Sequence, residues 1–307
     1  MPTSLPIDAL LNDLKHTVSQ SSTVILSAEP GAGKTTRVPV ALSEILQGQI
    51  IVLEPRRIAA IAAAHRIAEE NDWVLGKEVG YHVRFDLCAN PETKILFLTE
   101  ALLFRRLLSQ PDLSGVHCVI LDEFHERSIH VDMALAALKE LQMLNRPDLK
   151  IVIMSATLNA APLSDYFGGV PLMHSQGKTY PLHINYSDKA FVLNTGFEFI
   201  ERIKKMIISA HNAVPQGDIL CFLPGRGEID RVSKELEPLF KDKALIVPLH
   251  GQLDIQDQKK ALLPNSFMRK IILATNIAES SLTVSGVRVV VDSGLERIQT
   301  LSTTTRS

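Results

Sequence analysis

The sequence predicts an α/β protein made of two parallel-sheet domains in tandem. Short apolar runs of strand length, rich in Ile, Val and Leu and without polar alternation, recur between longer segments of helical periodicity. That is the pattern of strands covered on both faces by crossover helices. The alternation lapses once, over VPLMHSQGKTYPLHINYSDK, and then restarts. A length of 307 residues also exceeds the roughly 100 to 200 residues of one ordinary domain.

In order along the chain, Ile7, Leu10, Leu11, Leu14 and Val18 recur at helical spacing, which predicts an amphipathic helix and not a targeting signal. Strands are expected at TVILSA (23–28), IIVLEP (50–55), KILFLT (94–99), HCVILDE (117–123) and KIVIMSA (150–156), with crossover helices over 58–70 and 131–144. Pro171, Gly177 and Pro181 act as breakers and place the domain junction. The expected division is a first domain over 1–175, a linker over 176–190 and a second domain over 191–307. The second domain reads as a helix over 195–213 followed by strands DILCFLPG (218–225), ALIVPLHG (244–251), KIILATN (270–276) and VRVVVDSG (287–294). The last stretch, LERIQTLSTTTRS, brings no closing element, so the second domain is expected to be incomplete, in its natural form or as the front of a longer parent.

Composition excludes little. Hydrophobic content of 46% and charged content of 21% suit a globular chain and disfavour disorder. The net charge of −2 does not announce a nucleic-acid binder. Cys88, Cys118 and Cys221 lack metal-ligand spacing and read as thiols in a reducing compartment. No apolar run approaches the 18 or so residues of a spanning helix, so a cytoplasmic, non-membrane protein is expected.

The chemistry begins at SAEPGAGKTTR, residues 27–37. The phosphate-binding template G-x-x-x-x-G-K-[ST] is met except that Ala28 stands at its first glycine. Gly31 and Gly33 let backbone N–H groups converge on phosphate oxygens, and the helix that follows adds its positive end. Lys34 is expected on the β- and γ-phosphates and the Thr35 hydroxyl on Mg²⁺. The ATP site expected from this stretch comprises Glu29, Pro30, Gly31, Ala32, Gly33, Lys34, Thr35, Thr36 and Arg37.

VILDEFHERS, residues 119–128, puts two carboxylates at a strand's carboxyl end, where open α/β sheets bind ligands. Asp122 is expected to hold Mg²⁺ and Glu123 to orient and deprotonate the attacking water; His125 alone is unremarkable. MSATL, residues 154–158, ends another strand. It offers the hydroxyls of Ser155 and Thr157 to the acidic pair or to a γ-phosphate.

Taken together, these stretches resemble a superfamily-two DExH helicase, of the bacterial HrpB-type branch of the DEAH/RHA group. The resemblance extends over EPRRIAA (54–60), VGYHVRFD (79–86), TEALLFR (99–105), ILCFLPGRGEI (219–229), PLHGQL (248–253), TNIAESSLT (275–283) and VDSGLER (291–297). It implies two RecA-like domains of the P-loop NTPase kind that clamp ATP and grip one nucleic-acid strand. It also implies backbone contacts from Arg56, Arg57, Thr99, Gly225, Arg226, Thr275 and Asn276, which would position the strand without reading its bases. Glu279, Ser280 and Ser281 would point toward the nucleotide, and His125 joins the catalytic set with Lys34, Asp122 and Glu123.

Phe124 and Ala101 depart from the group's usual Ala and Gly. Similar proteins carry a QRxGRAGR block after the VDSG strand, which supplies arginines to the transferring phosphoryl group. Its absence before Ser307 leads to the expectation that this chain alone hydrolyses poorly, since an arginine finger contributes about 10³ to 10⁵ in turnover. The function expected is an ATP- and Mg²⁺-dependent helicase acting on single-stranded or partly duplex nucleic acid, RNA by analogy. The alternative is a nucleotide-gated binding or regulatory module without unwinding.

Overall fold

The computed structural model describes residues 4–156, 161–175, 182–187, 195–262, 267–278, 284 and 286–297. The chain divides into two compact units, Met1–Leu182 and His183–Ser307; the division falls inside the segment expected as linker.

The first unit opens with a 3-10 turn at Pro6–Leu10 and helix α1 (Leu11–Gln20), then β1 (Thr23–Ala28), α2 (Lys34–Ser43), β2 (Gln49–Leu53) and α3 (Arg57–Asn71). A hairpin of β3 (Val79–Val83) and β4 (Asp86–Cys88) precedes β5 (Ile95–Leu98), α4 (Glu100–Ser109), β6 (Val116–Leu121), α5 (Ile129–Leu144), β7 (Lys150–Ser155), α6 (Ala161–Tyr166) and β8 (Leu172–Ser175). The sheet order is β4-β3-β5-β2-β6-β7-β1-β8. Every pair is parallel except β3 with β4.

Both faces are buried, as the unbroken apolar runs require. Ile25, Ile51, Leu53, Leu98, Val119, Leu121, Ile151 and Ile153 share one face with Leu103 of α4 and Ala134 and Leu138 of α5. Their neighbours in sequence, including Val24, Ile50, Val52, Phe97, Ile120 and Val152, are equally buried on the opposite face, because successive strand residues alternate. Full burial of such a side chain contributes about 1.5 to 3 kcal/mol, so these strands are the rigid base of everything at their ends.

The second unit contains α7 (Phe197–Ala213), β9 (Asp218–Phe222), α8 (Arg226–Phe240), β10 (Ala244–Leu249), α9 (Ile255–Leu262), β11 (Arg269–Ala274) and β12 (Val287–Asp292). Its sheet is wholly parallel, in the order β10-β11-β9-β12. Ile203 and Ile207 of α7, Ile229, Val232 and Leu236 of α8 and Ile219, Cys221, Ile271 and Leu273 of the strands form its core.

Three expectations need correction. The sheet of the first unit is not purely parallel: β3 and β4 reverse at Arg84-Phe85, with Phe85 at φ 68. The region that looked patternless after residue 170 contains β8, which lies in register with Ile25 to Ala28 of β1. The N-terminal helix begins only at Leu11, because Pro6 and the hydrogen bond from the Leu5 N–H to Asp8 Oδ2 (2.8 Å) hold a tighter turn before it. The thiols of Cys118 and Cys221 are fully buried and burial pushes both up, Cys118 to about 12, so they are inert core residues.

Candidate nucleotide and nucleic-acid sites

Because the strands are parallel, the carboxyl ends of β1, β2, β5, β6 and β7 lie along one edge of the first sheet. The segments that carry polar chemistry follow those ends. After β1 the chain turns through Glu29, Pro30 and Gly31, all exposed, with the Ala32 N–H donating to the Glu29 carbonyl (3.2 Å). Gly31 and Gly33 sit at φ 77 and 92, a region that L side chains rarely adopt. Gly33 caps α2, whose first residue is Lys34.

Lys34 is 4% exposed and its Nζ lies 2.9 Å from Glu123 Oε1. The Thr35 hydroxyl donates to Asp122 Oδ2 at 2.5 Å across 87 residues of sequence. Asp122 Oδ1 accepts from the Glu123 N–H (2.8 Å), and Glu123 adopts the left-handed backbone, φ 49, at the turn after β6. His125 Nδ1 is 3.3 Å from Glu123 Oε2 but is not aligned for a hydrogen bond and has no other acceptor or donor partner. Ser155 is fully buried at the end of β7 and its Oγ has no hydrogen-bond partner.

The structure therefore brings together Lys34, Thr35, Asp122, Glu123 and His125, with Ser155 on the adjoining strand. Thr36 turns back, its hydroxyl donating to the Gly33 carbonyl (3.4 Å). Arg37 is tied elsewhere: Nε is 3.7 Å from Asp8 and Nη2 is 3.6 Å from Glu70, so it links the N-terminal turn and α3 to α2. Thr157, Glu279, Ser280 and Ser281 lie outside the described residues.

One acidic residue in this cluster escaped the sequence reading. Glu54 follows β2; its N–H donates to the Leu98 carbonyl (2.9 Å), while the Asp122 N–H donates to the Leu53 carbonyl (3.0 Å), so the ladder sets Glu54 beside Asp122. It is 1% exposed, and Oε1 has no hydrogen-bond partner. Burial first, then the charges of Asp122, Glu123 and Glu126, hold its carboxyl well above the usual range. Asp122 is likewise pushed up to about 6 by burial and by Glu123, against the opposing pull of Lys34 and Thr35. The one signal in the sequence was a carboxylate closing an unbroken apolar run, IIVLE.

Mg²⁺ and a nucleotide triphosphate fit these residues. The Thr35 hydroxyl and the Asp122 carboxylate are hard oxygen donors already within bonding reach of one another, the donor type Mg²⁺ takes while keeping waters and phosphate oxygens as its other ligands. No cluster of three or more His, Cys, Asp or Glu that could hold a metal occurs among the described residues. The orphaned Ser155 Oγ leaves a hydroxyl unspent for an anion, while the Lys34 ammonium would exchange the Glu123 carboxylate for a phosphate.

The residues expected on nucleic acid also fall at sheet edges. Arg56 precedes α3 with Nη2 3.6 Å from Glu126 Oε1, Arg57 opens α3, and Thr99 precedes α4 as its N-cap residue. In the second unit, Gly225 caps α8. Arg226 reaches Asp230 (3.6 Å) and donates to Gln252 Oε1 (3.4 Å). Thr275 follows β11, its N–H donating to the Leu249 carbonyl (3.1 Å), and Asn276 Nδ2 donates to Glu296 Oε1 (2.6 Å). Neighbouring His250 is buried, and burial and then Arg226 lower its pKa. Each unit thus carries its own polar set at the carboxyl ends of its strands.

Residues 12–165 match the DEAD/DEAH box helicase family model. The chain belongs to that family. Residues 198–305 of this helicase-family chain match the helicase conserved C-terminal domain. It is 41% identical to the ATP-dependent RNA helicase HrpB of Escherichia coli, over 96% of this chain and 36% of that protein. It is 36% identical to the probable ATP-dependent RNA helicase DHR2 of Saccharomyces cerevisiae, over 97% of this chain and 42% of that protein. Among solved structures, the E. coli DEAH/RHA helicase HrpB matches with a TM-score of 0.79 at 40% identity, covering 96% of this chain and 37% of that one. A second structure, of the E. coli DExH-box NTPase HrpB, matches with a TM-score of 0.69 at 40% identity, covering 97% and 37%. The chain therefore spans about two fifths of the length of these relatives. No helix among its described residues is long and apolar enough to cross a membrane.

Proposed function

We propose that the chain binds Mg²⁺·ATP at the turn after β1 and couples its hydrolysis to the grip on a nucleic-acid strand, RNA in preference to DNA, as part of an ATP-dependent RNA helicase. The observation that carries this reading is the buried Lys34–Glu123 pair beside the Thr35–Asp122 hydrogen bond. It is a cation and a hydroxyl held by two carboxylates where a strand-to-helix turn opens an anion-binding helix end.

In this reading the backbone N–H groups of 31–35 and the Lys34 ammonium hold the phosphates, and Thr35 and Asp122 hold the metal. When bound, Mg²⁺ neutralises charge on the β- and γ-phosphates. Lys34, drawn to the phosphates, releases Glu123, whose free carboxylate then accepts a proton from the attacking water. Ser155, with its hydroxyl unspent, is placed to hold that water or a phosphate oxygen. Arg56, Arg57 and Thr99 in the first unit, and Gly225, Arg226, Thr275 and Asn276 in the second, take the strand's sugar-phosphate backbone. The reading places the protein in the cytoplasm.

The test is coupling. Anisotropy of a labelled single-stranded RNA is measured with this chain alone, with a non-hydrolysable ATP analogue and with ADP, alongside ATP turnover with and without RNA. The expected result is at least a fivefold difference in RNA affinity between the analogue and ADP states, the lower range of typical coupling, and turnover that RNA raises. Nucleotide binding with RNA affinity indifferent to it would overturn the helicase reading in favour of an uncoupled binding module.

A further inference from the structure

Within the second unit, the groups assigned to the nucleic-acid strand sit on two loops, Gly225 and Arg226 after β9 and Thr275 and Asn276 after β11. The segment that follows β12 touches both. In the sheet order β10-β11-β9-β12, β12 is the neighbour of β9, and β11 lies on the far side of β9. A side chain from the end of β12 that meets the end of β11 therefore crosses the end of β9.

The chain makes that crossing over residues 294–297. The Ser293 N–H still pairs with the Phe222 carbonyl of β9 (3.3 Å). The Gly294 N–H then donates to Asp292 Oδ1 (2.8 Å) with Gly294 at φ 69, a left-handed turn that glycine makes without strain. Two consecutive side chains then part. Glu296 Oε1 accepts from Asn276 Nδ2 at 2.6 Å, and Arg297 Nη2 lies 3.7 Å from Oε2 of Glu228, in the first turn of α8.

Glu228 explains why the arginine stays. It is 3% exposed; Oε1 accepts from Arg231 Nη2 (2.8 Å), while Oε2 has no hydrogen-bond partner. A buried carboxylate with one oxygen unspent is costly, and the Arg297 guanidinium is the charge beside that oxygen. The pair lies against Gly225. The backbone there is extended, φ −171, which any residue adopts, but a Cβ would stand 3.0 Å from Glu228 Oε2 and 3.3 Å from Arg297 Cζ.

An acid at a face assigned to a polyanion repels it. Glu296 is exposed and nevertheless stands among these contacts, with its charge turned to the Asn276 amide. We propose that residues 294–297 form a positioning strap: Glu296 fixes Asn276, and Arg297, anchored on Glu228, fixes the loop at Gly225, so that the loops after β9 and β11 meet the phosphodiester backbone as one surface. The proposal rests on the nucleic-acid reading above and adds residues that act through its contacts.

The test turns on the sign of a charge change. Labelled single-stranded RNA is titrated at fixed salt with the wild-type chain, Glu296→Ala, Glu296→Gln, Arg226→Gln and the double variant of Glu296→Ala with Arg226→Gln. Loss of an exposed acid beside a polyanion raises affinity if the acid does nothing else. The strap predicts the reverse. Glu296→Ala is expected to bind RNA about tenfold more weakly, the worth of one charge-assisted hydrogen bond, whereas Glu296→Gln, whose amide oxygen still accepts from Asn276, recovers at least the wild-type affinity. The double variant is expected to lose less than the product of the two single losses, because residues that serve one surface are not additive. Glu296 is exposed, so its variants separate lost positioning from lost folding, and melting temperatures are read alongside. Wild-type or higher affinity in Glu296→Ala, with Arg226→Gln impaired, would overturn the strap and leave the nucleic-acid reading standing. Failure of Glu296→Gln to recover, or losses that simply multiply in the double variant, would overturn it as well. No RNA binding by the wild-type chain would overturn the nucleic-acid reading and the strap together.

Discussion

Lys34 Nζ and Glu123 Oε1 stand 2.9 Å apart, the first on the helix after β1 and the second on the turn after β6, with both side chains nearly sealed from water. Each charge is the other's compensation. A buried pair of this kind contributes little net stability, but removing one member exposes the full cost of the other. The same two residues are assigned opposite tasks when nucleotide binds, one turning to phosphate and the other to water, so the pair must part for either task.

Lys34→Ala is expected to abolish Mg²⁺·nucleotide binding and also to destabilise the nucleotide-free chain by about 3 kcal/mol at neutral pH, since Glu123 loses its buried counter-ion. A fluorescent-nucleotide titration and urea unfolding check the two effects. Normal affinity in this variant would sink the site assignment.

Glu123→Gln is expected to retain nucleotide binding, because the amide oxygen still faces Lys34, and to lose hydrolysis by about 10² to 10⁴, the contribution of a general base. Single-turnover hydrolysis beside the binding isotherm makes the measurement. Unchanged turnover would mean that the proton goes elsewhere.

Glu54 carries a pH prediction. Its folded-state pKa is raised, so between the unfolded value near 4.3 and the folded value the native chain holds one proton more than the unfolded chain. Stability from this group is therefore greatest below that window and falls as pH rises through it, by about 1.4 kcal/mol per pH unit at the steepest. Glu54→Gln, neutral at every pH, is expected to match the wild type near pH 4 and to exceed it increasingly toward pH 8. Unfolding curves across that range decide it, and parallel pH profiles would show that Glu54 folds as an ionised group.

Gly31 and Gly33 are expected to differ. An added Cβ at Gly31 meets nothing within 4 Å, whereas at Gly33 it meets Leu5 Cδ1 at 2.5 Å and Leu5 Cβ at 3.2 Å. Gly31→Ala therefore carries only the left-handed backbone cost of about 1 to 2 kcal/mol, and Gly33→Ala carries that cost and displaces the N-terminal turn, which is held by the Ile7 N–H on the Ala32 carbonyl (3.1 Å). Melting temperature and nucleotide affinity should both fall further in Gly33→Ala; equal effects would show that the turn is not a support of the loop.

Much of this was legible in the residues. The run TVILSA is β1 to the residue, and DILCFLPG, ALIVPLHG, KIILATN and VRVVVDSG each hold a strand that stops a few residues before the quoted stretch does. The overrun is physical: Leu223-Pro224-Gly225 and Thr275-Asn276 are apolar or extended enough to read as strand, yet they turn to begin the next helix. The hairpin of β3 and β4 was not legible, because a three-residue strand, half-buried at Asp86 and Cys88 and exposed at Leu87, is too short to show a periodicity. Glu54 was passed over because in sequence it is only the end of an apolar run.

The sequence by itself determined where strands and helices form and which loops carry glycine, lysine, hydroxyls and carboxylates, because backbone sterics and apolar periodicity act over a few consecutive residues. Tertiary structure alone decided which of those groups meet. Thr35 reaches Asp122 across 87 residues, Glu54 lies sealed beside Asp122, and Glu296 reaches Asn276 across the end of β9. Each of these follows from strand order and register, which are set when both faces of the sheet are covered and every buried polar group must find, or be denied, a partner.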